Sequence, residues 1–312
     1  GTAVAGIAAA ASNNSIGVVG ACWICPVLSI KVLDSTGSGS NWNVDQGIIT
    51  ATDQGAKVIN LSLGSYSNTQ DMQDAVNYAW NKGLVVVAAS GNDNTTTPFY
   101  PAAYNNVVAV GGNSESDTKM SISNYGPWLD VVAPGIAILT TRMDGSYNVA
   151  SGTSMASPHI AGLAGLIFSA NPKISNTQVV DIITSTTDDL GDPGFDQYYG
   201  WGKINAGRAL QKATGTTGPL PDTTSPQIKV LSPTDSSTIS GVVTIKIDAT
   251  DNVGVAKVQA GHNYCGGNTI PSAEIGEDTT SPYEIVWDTT KVPNGTCNLS
   301  VFGLDAAGNQ GT

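Results

Sequence analysis

Two different periodicities divide the chain. Over its first two-thirds, short runs of adjacent Val, Ile and Leu alternate with stretches whose apolar positions recur at helical spacing. VLSIKVL (27–33), KVINLSL (57–63), LVVVAAS (84–90), VVAVGG (107–112) and LDVVAPG (129–135) read as strands. WNVDQGIITATDQG (42–55), DMQDAVNYAWNKG (71–83), the segment 153–170, NTQVVDIITST (176–186) and INAGRALQKA (204–213) read as helices. Strands that are apolar at every position must be covered on both faces, and the interleaved helices supply that cover. The pattern predicts an α/β fold, a doubly wound parallel sheet whose site lies at the carboxyl ends of the strands.

After residue 213 the texture changes. TGTTGPLPDTTSP (214–226), rich in Pro, Gly and Thr, reads as a linker. VVTIKIDAT (242–250), VAKVQAG (255–261), YEIVWD (283–288) and CNLSVFGLD (297–305) alternate with a period of two, broken by turns. That is the signature of an antiparallel β-sandwich, one face in and one face out. The predicted organisation is an α/β domain over 1–213, a linker over 214–226 and a sandwich module over 227–312. The sandwich pattern stops at DAAGNQGT, so the module is expected to be cut short there.

Composition narrows the function classes. The chain has 312 residues, 40% hydrophobic and 12% charged, with 36 glycines, an ordered and turn-rich balance. Its net charge of −12 is split evenly between the two regions and argues against nucleic-acid or anionic-membrane partners. No run of about 20 apolar residues occurs, so no membrane span is expected. Four cysteines pair by region, Cys22 with Cys25 and Cys265 with Cys297, which suits an oxidising compartment. Zinc or redox chemistry is the alternative for the CxxC pair, but zinc needs about four ligands and no further Cys or well-placed His accompanies it.

The candidate chemistry centres on SGTSMASPH (151–159), which places the Ser154 hydroxyl at the start of a long apolar helix. Backbone N–H groups and the positive dipole end there favour a developing anion. Ser90-Gly91-Asn92-Asp93 ends a strand, where the Asn92 amide is placed to donate across the sheet's carboxyl edge. Taken alone, Ser-Gly-Thr also reads as a helix cap and Gly-Asn as a turn. His159 and His262 are the only histidines. His159, five residues beyond Ser154 on the same helix, faces away and reads as packing; His262 is expected on the sandwich surface.

At these residues the chain resembles the subtilisin-like serine proteases over roughly 1–213. GTSMASPH looks like the family's nucleophile motif, which makes Ser154 the catalytic serine. SGN (90–92) resembles the oxyanion-hole segment, with Asn92 as the side-chain donor and Ala89, Ser90 and Gly91 beside the substrate. VINLSLG implies that Ser62, Leu63 and Gly64 pair with a peptide backbone. KVLDSTGSGS implies Gly37, Ser38 and Gly39 on the peptide's other side. FYPAAYNNVVAVGG, SNYGPWLDVVAPG and YGWGKINAGRAL continue the likeness in order.

GTAVAGI (1–7) looks like the continuation of the family's HGTHVAGI motif, whose first His is the base. The resemblance therefore implies that the triad His and Asp lie outside 1–312 and that this chain alone is inactive. Ala3, where the family usually has a second His, leaves the mechanism untouched. Phe99, larger than the Gly often found at that pocket wall, is expected to narrow the first specificity pocket. SNNSIGVVG (12–20) resembles a loop around structural calcium, through the Asn14 side chain and the Ile16 and Val18 carbonyls; the remaining ligands lie outside this sequence.

The trailing region resembles bacterial Ig-like repeats, with DNVGV and DAAGN as turns and a calcium or glycan role as their alternative. The implied protein is a secreted, monomeric serine endopeptidase acting on protein or peptide substrates, with a propeptide as a candidate partner. A non-catalytic binding or adhesion protein is the rival reading.

Overall fold

A computed structural model describes residues 1–216, 222, 224–266 and 268–312. Most of the segment read as a linker, residues 217–221 and 223, lies outside the described residues. The chain forms two compact units, Gly1–Gly218 and Pro219–Thr312.

In the first unit four parallel strands stand side by side in sequence order: β1 (Val58–Leu61), β2 (Val85–Ala89), β3 (Val107–Asn113) and β4 (Val131–Pro134). The helices are α1 (Thr2–Ala9), α2 (Asn41–Asp53), α3 (Gln70–Asn81), α4 (Thr153–Ala170), α5 (Asn176–Ser185) and α6 (Ala206–Thr214). The run VVVAA shows why the sheet must be covered twice. Val86 and Ala88 enter one core with Ile48, Val76 and Ala79 of α2 and α3. Val85 and Val87 enter the other with Ile160, Leu163, Ile183 and Ala209 of α4, α5 and α6. Every β2 residue is buried, as continuous apolar strands require. Capping is local and legible: Ser175 and Gln178 close a capping box on α5, and Ser40 and Asn205 cap α2 and α6.

One expected strand is absent. Residues 27–33 form no ladder with any described strand. Ile30 and Val32 pack on the α2 side, against Gly47, while Val27 and Leu28 stay 55% and 46% exposed. The apolar pattern has found its helix but no neighbouring strand. Within the first unit, two features went unread in the sequence, α1 and the hairpin β5 (Ile138–Thr141) with β6 (Tyr147–Ala150). The hairpin is tied to α1 where Thr140 Oγ1 donates to Ala3 O at 2.7 Å. Cys22 and Cys25 are bonded in a turn against α4, where a Cβ on Gly165 would stand 2.8 Å from Cys25 Sγ.

The second unit is a two-sheet antiparallel sandwich. One sheet pairs β11 (Tyr283–Asp288), β8 (Val242–Thr250) and β7 (Gln227–Ser232). The other pairs β10 (Asn268–Asp278), β9 (Val255–Cys265), β12 (Cys297–Asp305) and β13 (Gln310–Gly311). Alternate residues Ile245, Ile247, Tyr283, Ile285 and Trp287 meet Val258 and Ala260 in its core. The Cys265–Cys297 bond joins directly paired residues of β9 and β12 within one sheet. Antibody domains instead link their two sheets. His262 is a correction: only 9% exposed, it stacks on Trp287 with ring centroids 6.1 Å apart.

Candidate active site

The carboxyl ends of β1 and β2 and the start of α4 converge on one set of neutral polar groups. Pro158 sits inside α4 and has no N–H, so the Ser154 carbonyl loses the helical bond it would otherwise accept. The Ser62 hydroxyl, just beyond β1, fills that place and donates to Ser154 O at 2.9 Å. Ser62 Oγ in turn accepts from Asn60 Nδ2 at 3.0 Å, and Asn60 Oδ1 accepts from Ser157 Oγ at 2.7 Å. The strand end and the helix start are thereby fixed to each other through side chains.

β2 is fastened to the same helix by Thr153, which is fully buried. Its hydroxyl accepts from Gly91 N at 3.2 Å and faces Gly91 O and Asn92 Oδ1. The Thr153 N–H donates to Asn92 Oδ1 at 2.9 Å. With its oxygen so engaged, the Asn92 amide keeps Nδ2 as its remaining donor, on a residue that lines the neighbouring cavity. Gly152, at φ +144°, has no side chain to fill the space beside it. A Cβ there would lie 3.5 Å from Asn92 Oδ1 and 3.8 Å from both Asn92 Nδ2 and Ser154 N. Two potential donors, Asn92 Nδ2 and Ser154 N, therefore lie about equally near one point beside Gly152.

A cavity of about 260 Å³ opens at that point, lined by Leu63, Gly64, Ala89, Gly91, Asn92 and Ser154, with Phe99 across it. Phe99 lies over two glycines: a Cβ on Gly64 would come 2.5 Å from its ring, and one on Gly91 would come 3.1 Å from it. Its ring also meets Tyr66 edge-on at 5.1 Å. Tyr66 donates to Asp93 Oδ2 at 2.5 Å, and burial together with that bond pushes its phenol up. Asn124, buried at 0% exposure, accepts from Asp93 N and Thr95 N and donates to Tyr66, stiffening this wall.

The predicted residues divide by position. Ser62, Leu63, Gly64, Ala89, Gly91, Asn92 and Ser154 come together. Ser90 is fully buried and its hydroxyl donates to Asn124 O, away from the cavity. Gly37, Ser38 and Gly39 do not line the cavity; they belong to an exposed turn built on Asp34, whose Oδ1 accepts from Thr36 N and Ser38 N. Those bonds, with the Thr36 hydroxyl foremost, hold the Asp34 carboxyl below its ordinary range. Asn60, Ser157, Thr153 and Asn124 were not singled out in the sequence. Asn60, a polar residue inside an apolar strand, carried the one visible signal.

No base reaches the nucleophile from within the described residues. Ser154 Oγ donates instead to the Ser62 carbonyl at 3.3 Å. His159 is engaged with Met155 O at 2.9 Å one turn back in its own helix, and burial holds its imidazole below the ordinary range. At the proposed calcium loop, Asn14 Oδ1 accepts from Ile16 N at 3.0 Å, closing a turn. Asn14, Ile16 and Val18 offer only neutral oxygens, and residues 10–20 contain no carboxylate. Calcium takes about 6–8 oxygen ligands, carboxylates prominent among them. These residues alone therefore do not make a calcium site.

Residues 1–202 match the sequence profile of the Subtilase family and residues 226–301 that of a bacterial Ig domain. The chain belongs to the subtilase family. This subtilase is 48% identical to the thermophilic serine proteinase of Bacillus sp. strain AK1 over 67% of the chain, and spans 51% of that relative's length. It is 48% identical to thermitase of Thermoactinomyces vulgaris, covering 68% of the chain and 74% of the relative. A solved protease structure from Pseudoalteromonas arctica superimposes with a TM-score of 0.63 at 35% identity, over 68% of this chain and 70% of that one. The subtilase α/β fold is thus followed by an Ig-like module, and no described helix is long and apolar enough to cross a membrane.

Proposed function

We propose that this subtilase chain carries the nucleophile and oxyanion half of a secreted serine endopeptidase. Ser154 Oγ attacks the peptide carbonyl and forms the acyl-enzyme, and the Asn92 side chain and the Ser154 N–H hold the oxyanion. The observation that carries this reading is that Asn92 Nδ2 and Ser154 N lie equally close to one point beside Gly152, at a cavity that both residues line. A carbonyl oxygen cannot take the Ser154 proton, so the base and the aspartate that orients it come from residues outside 1–312. The peptide lies extended along Ser62–Gly64, with Gly37–Gly39 opposite, and its side chain before the cut enters the cavity under Phe99. Specificity is broad, with a bias against bulky groups there. The two disulfides support an oxidising, extracellular setting.

The test begins with the coding sequence upstream of Gly1. A histidine codon directly before it, with an Asp-Ser/Thr-Gly strand end further up, supports the reading. The extended protein then hydrolyses peptide substrates, Ser154→Ala abolishes turnover, and residues 1–312 alone show none. Turnover by 1–312 that Ser154→Ala removes would overturn the incomplete-triad assignment. Another residue in the histidine's place favours the second reading, a non-catalytic binding protein, for which the Ser154–Ser62 bond is the supporting observation.

A further inference from the structure

The Ig-like unit gathers three carboxylates where its loops meet. Asp222 precedes β7, Asp251 opens the turn from β8 to β9, and Asp305 ends β12. One oxygen of each lies within 4.8 Å of the other two.

Each carboxylate is first explained by its own turn. Asp251 Oδ2 accepts from Val253 N and Gly254 N, both at 2.9 Å. Asp305 Oδ1 accepts from Ala307 N and Asn309 N at 2.8 and 2.9 Å, and its Oδ2 from Asn309 Nδ2 at 2.7 Å. Asp222 Oδ1 accepts from Thr224 N and from Asn252 Nδ2 at 3.0 and 3.2 Å. These bonds account for DNVG and DAAGN as turn sequences.

They do not account for everything. Asp222 Oδ2 and Asp251 Oδ1 each expose less than 1 Å² and have no hydrogen-bond partner among the described residues. Asp305, the third member, is itself 4% exposed. Lysines are no help: among the described residues the unit's ion pairs are Lys246–Glu284, Lys257–Glu277 and Lys291–Asp288, none of which includes a member of the cluster. Two sealed carboxylate oxygens without a donor, beside a third buried carboxylate, make an arrangement that the described side chains leave uncompensated. A cation between them supplies the missing partner.

We propose that Asp222, Asp251 and Asp305 bind one calcium ion. An all-oxygen set of carboxylates selects a hard cation over the metals that prefer nitrogen or sulfur. Calcium takes ligands at about 2.3–2.6 Å in flexible geometry, so oxygens gathered this closely fit around a single ion. Backbone carbonyls and water complete the shell. The turn bonds already position one oxygen of Asp222 and Asp251, which leaves the orphaned ones to the metal. The site is independent of the catalytic reading and of the Asn14 loop.

The experiment uses the full chain, stripped with EDTA and titrated with calcium chloride by isothermal calorimetry. One equivalent binds, with a dissociation constant on the order of 10⁻⁴–10⁻³ M, the range of extracellular modules. Asn14→Ala retains it, while Asp251→Asn, which keeps the turn acceptor, weakens it at least about tenfold. Magnesium chloride binds more weakly than calcium; equal binding overturns the calcium assignment. Thermal unfolding separates a metal site from a structural turn by sign. In EDTA, Asp251→Asn melts no lower than the parent, because one of three mutually repelling charges is gone. With about 10 mM calcium the parent gains several degrees and the variant does not. Equal calcium binding by both proteins, or an equal loss of stability with and without calcium, overturns the proposal. Asp222→Asn is expected to behave as Asp251→Asn and serves if that variant does not fold.

Discussion

In the first unit, polar groups at the carboxyl ends of β1 and β2 find one another. Thr153 bonds Asn92 and Gly91, Asn60 bonds Ser62 and Ser157, and Asn124 bonds the Asp93 backbone and Tyr66. All of these groups are neutral, so the set can be closed by geometry alone. In the Ig-like unit the gathered groups are three anions, and no rearrangement of side chains lets carboxylates donate to each other. The buried and half-buried carboxylates of the first unit share no such cluster, and they respond differently. Burial pushes Asp130 up to about 6 against the bond it accepts from Ala109 N, and burial plus the nearby Asp71 charge pushes Asp45 up. A lone buried acid escapes by holding its proton; a cluster needs a counter-ion. The difference lies in how many carboxylates share one place, not in how deeply each is buried.

The strongest way to break this contrast is at Asn92. If the neutral network exists to aim its Nδ2, then Asn92→Ala in the protein supplied with its base lowers kcat about 10²–10³-fold with little change in KM. Steady-state kinetics on a peptide substrate check this. A change confined to KM would mean that the network serves binding alone.

Next comes the lone acid Asp130. Its folded pKa near 6 exceeds the ordinary 3.8, so between these values the folded chain binds more protons than the unfolded one. Stability therefore falls as pH rises from about 4 to about 6, by at most about 3 kcal/mol from this group. Asp130→Asn, which keeps an acceptor for Ala109 N, removes that slope. Denaturant midpoints of parent and variant across the window measure it, and parallel curves would refute the assignment.

The smallest effect is at Asp45, on α2, 5% exposed with one oxygen unpartnered among the described residues. Asp45→Ala raises stability at pH 7 by about 1 kcal/mol, since the orphaned carboxylate is removed and helix propensity improves. The gain shrinks in acid as the parent's carboxyl becomes neutral. Thermal melts at pH 7 and in acid sharpen the comparison with the cluster, where calcium replaces acid as the remedy.

Much of this fold was legible because burial leaves local marks. VVVAAS announced a strand covered twice, and the alternation in YEIVWD announced one covered once. VLSIKVL misled for the same reason: apolar pattern reports burial, and a strand also needs a neighbour, which residues 27–33 lack here. α1 was missed because TAVAGIAA has no polar face to set a period, and β10 because NTIPSAEIGED carries no clean alternation. At the site, Ser154 and Asn92 were readable from motif resemblance. Their supports were not, because Ser157 answers Asn60 from 97 residues away and Thr153 answers Asn92 from 61. The three aspartates likewise look like ordinary turn residues until three loops bring them together.

Those long separations have a kinetic consequence. The Ser62–Ser154 bond spans 92 residues, so the hydroxyl has no prepared surroundings until β1, β2 and α4 have all docked. Contacts this distant in sequence form late, after the loop entropy between them has been lost. A partly folded chain thus displays a serine like any other. In the protein supplied with its base, the capture of a serine-reactive probe during refolding should therefore track that slowest phase rather than the earlier gain of helix.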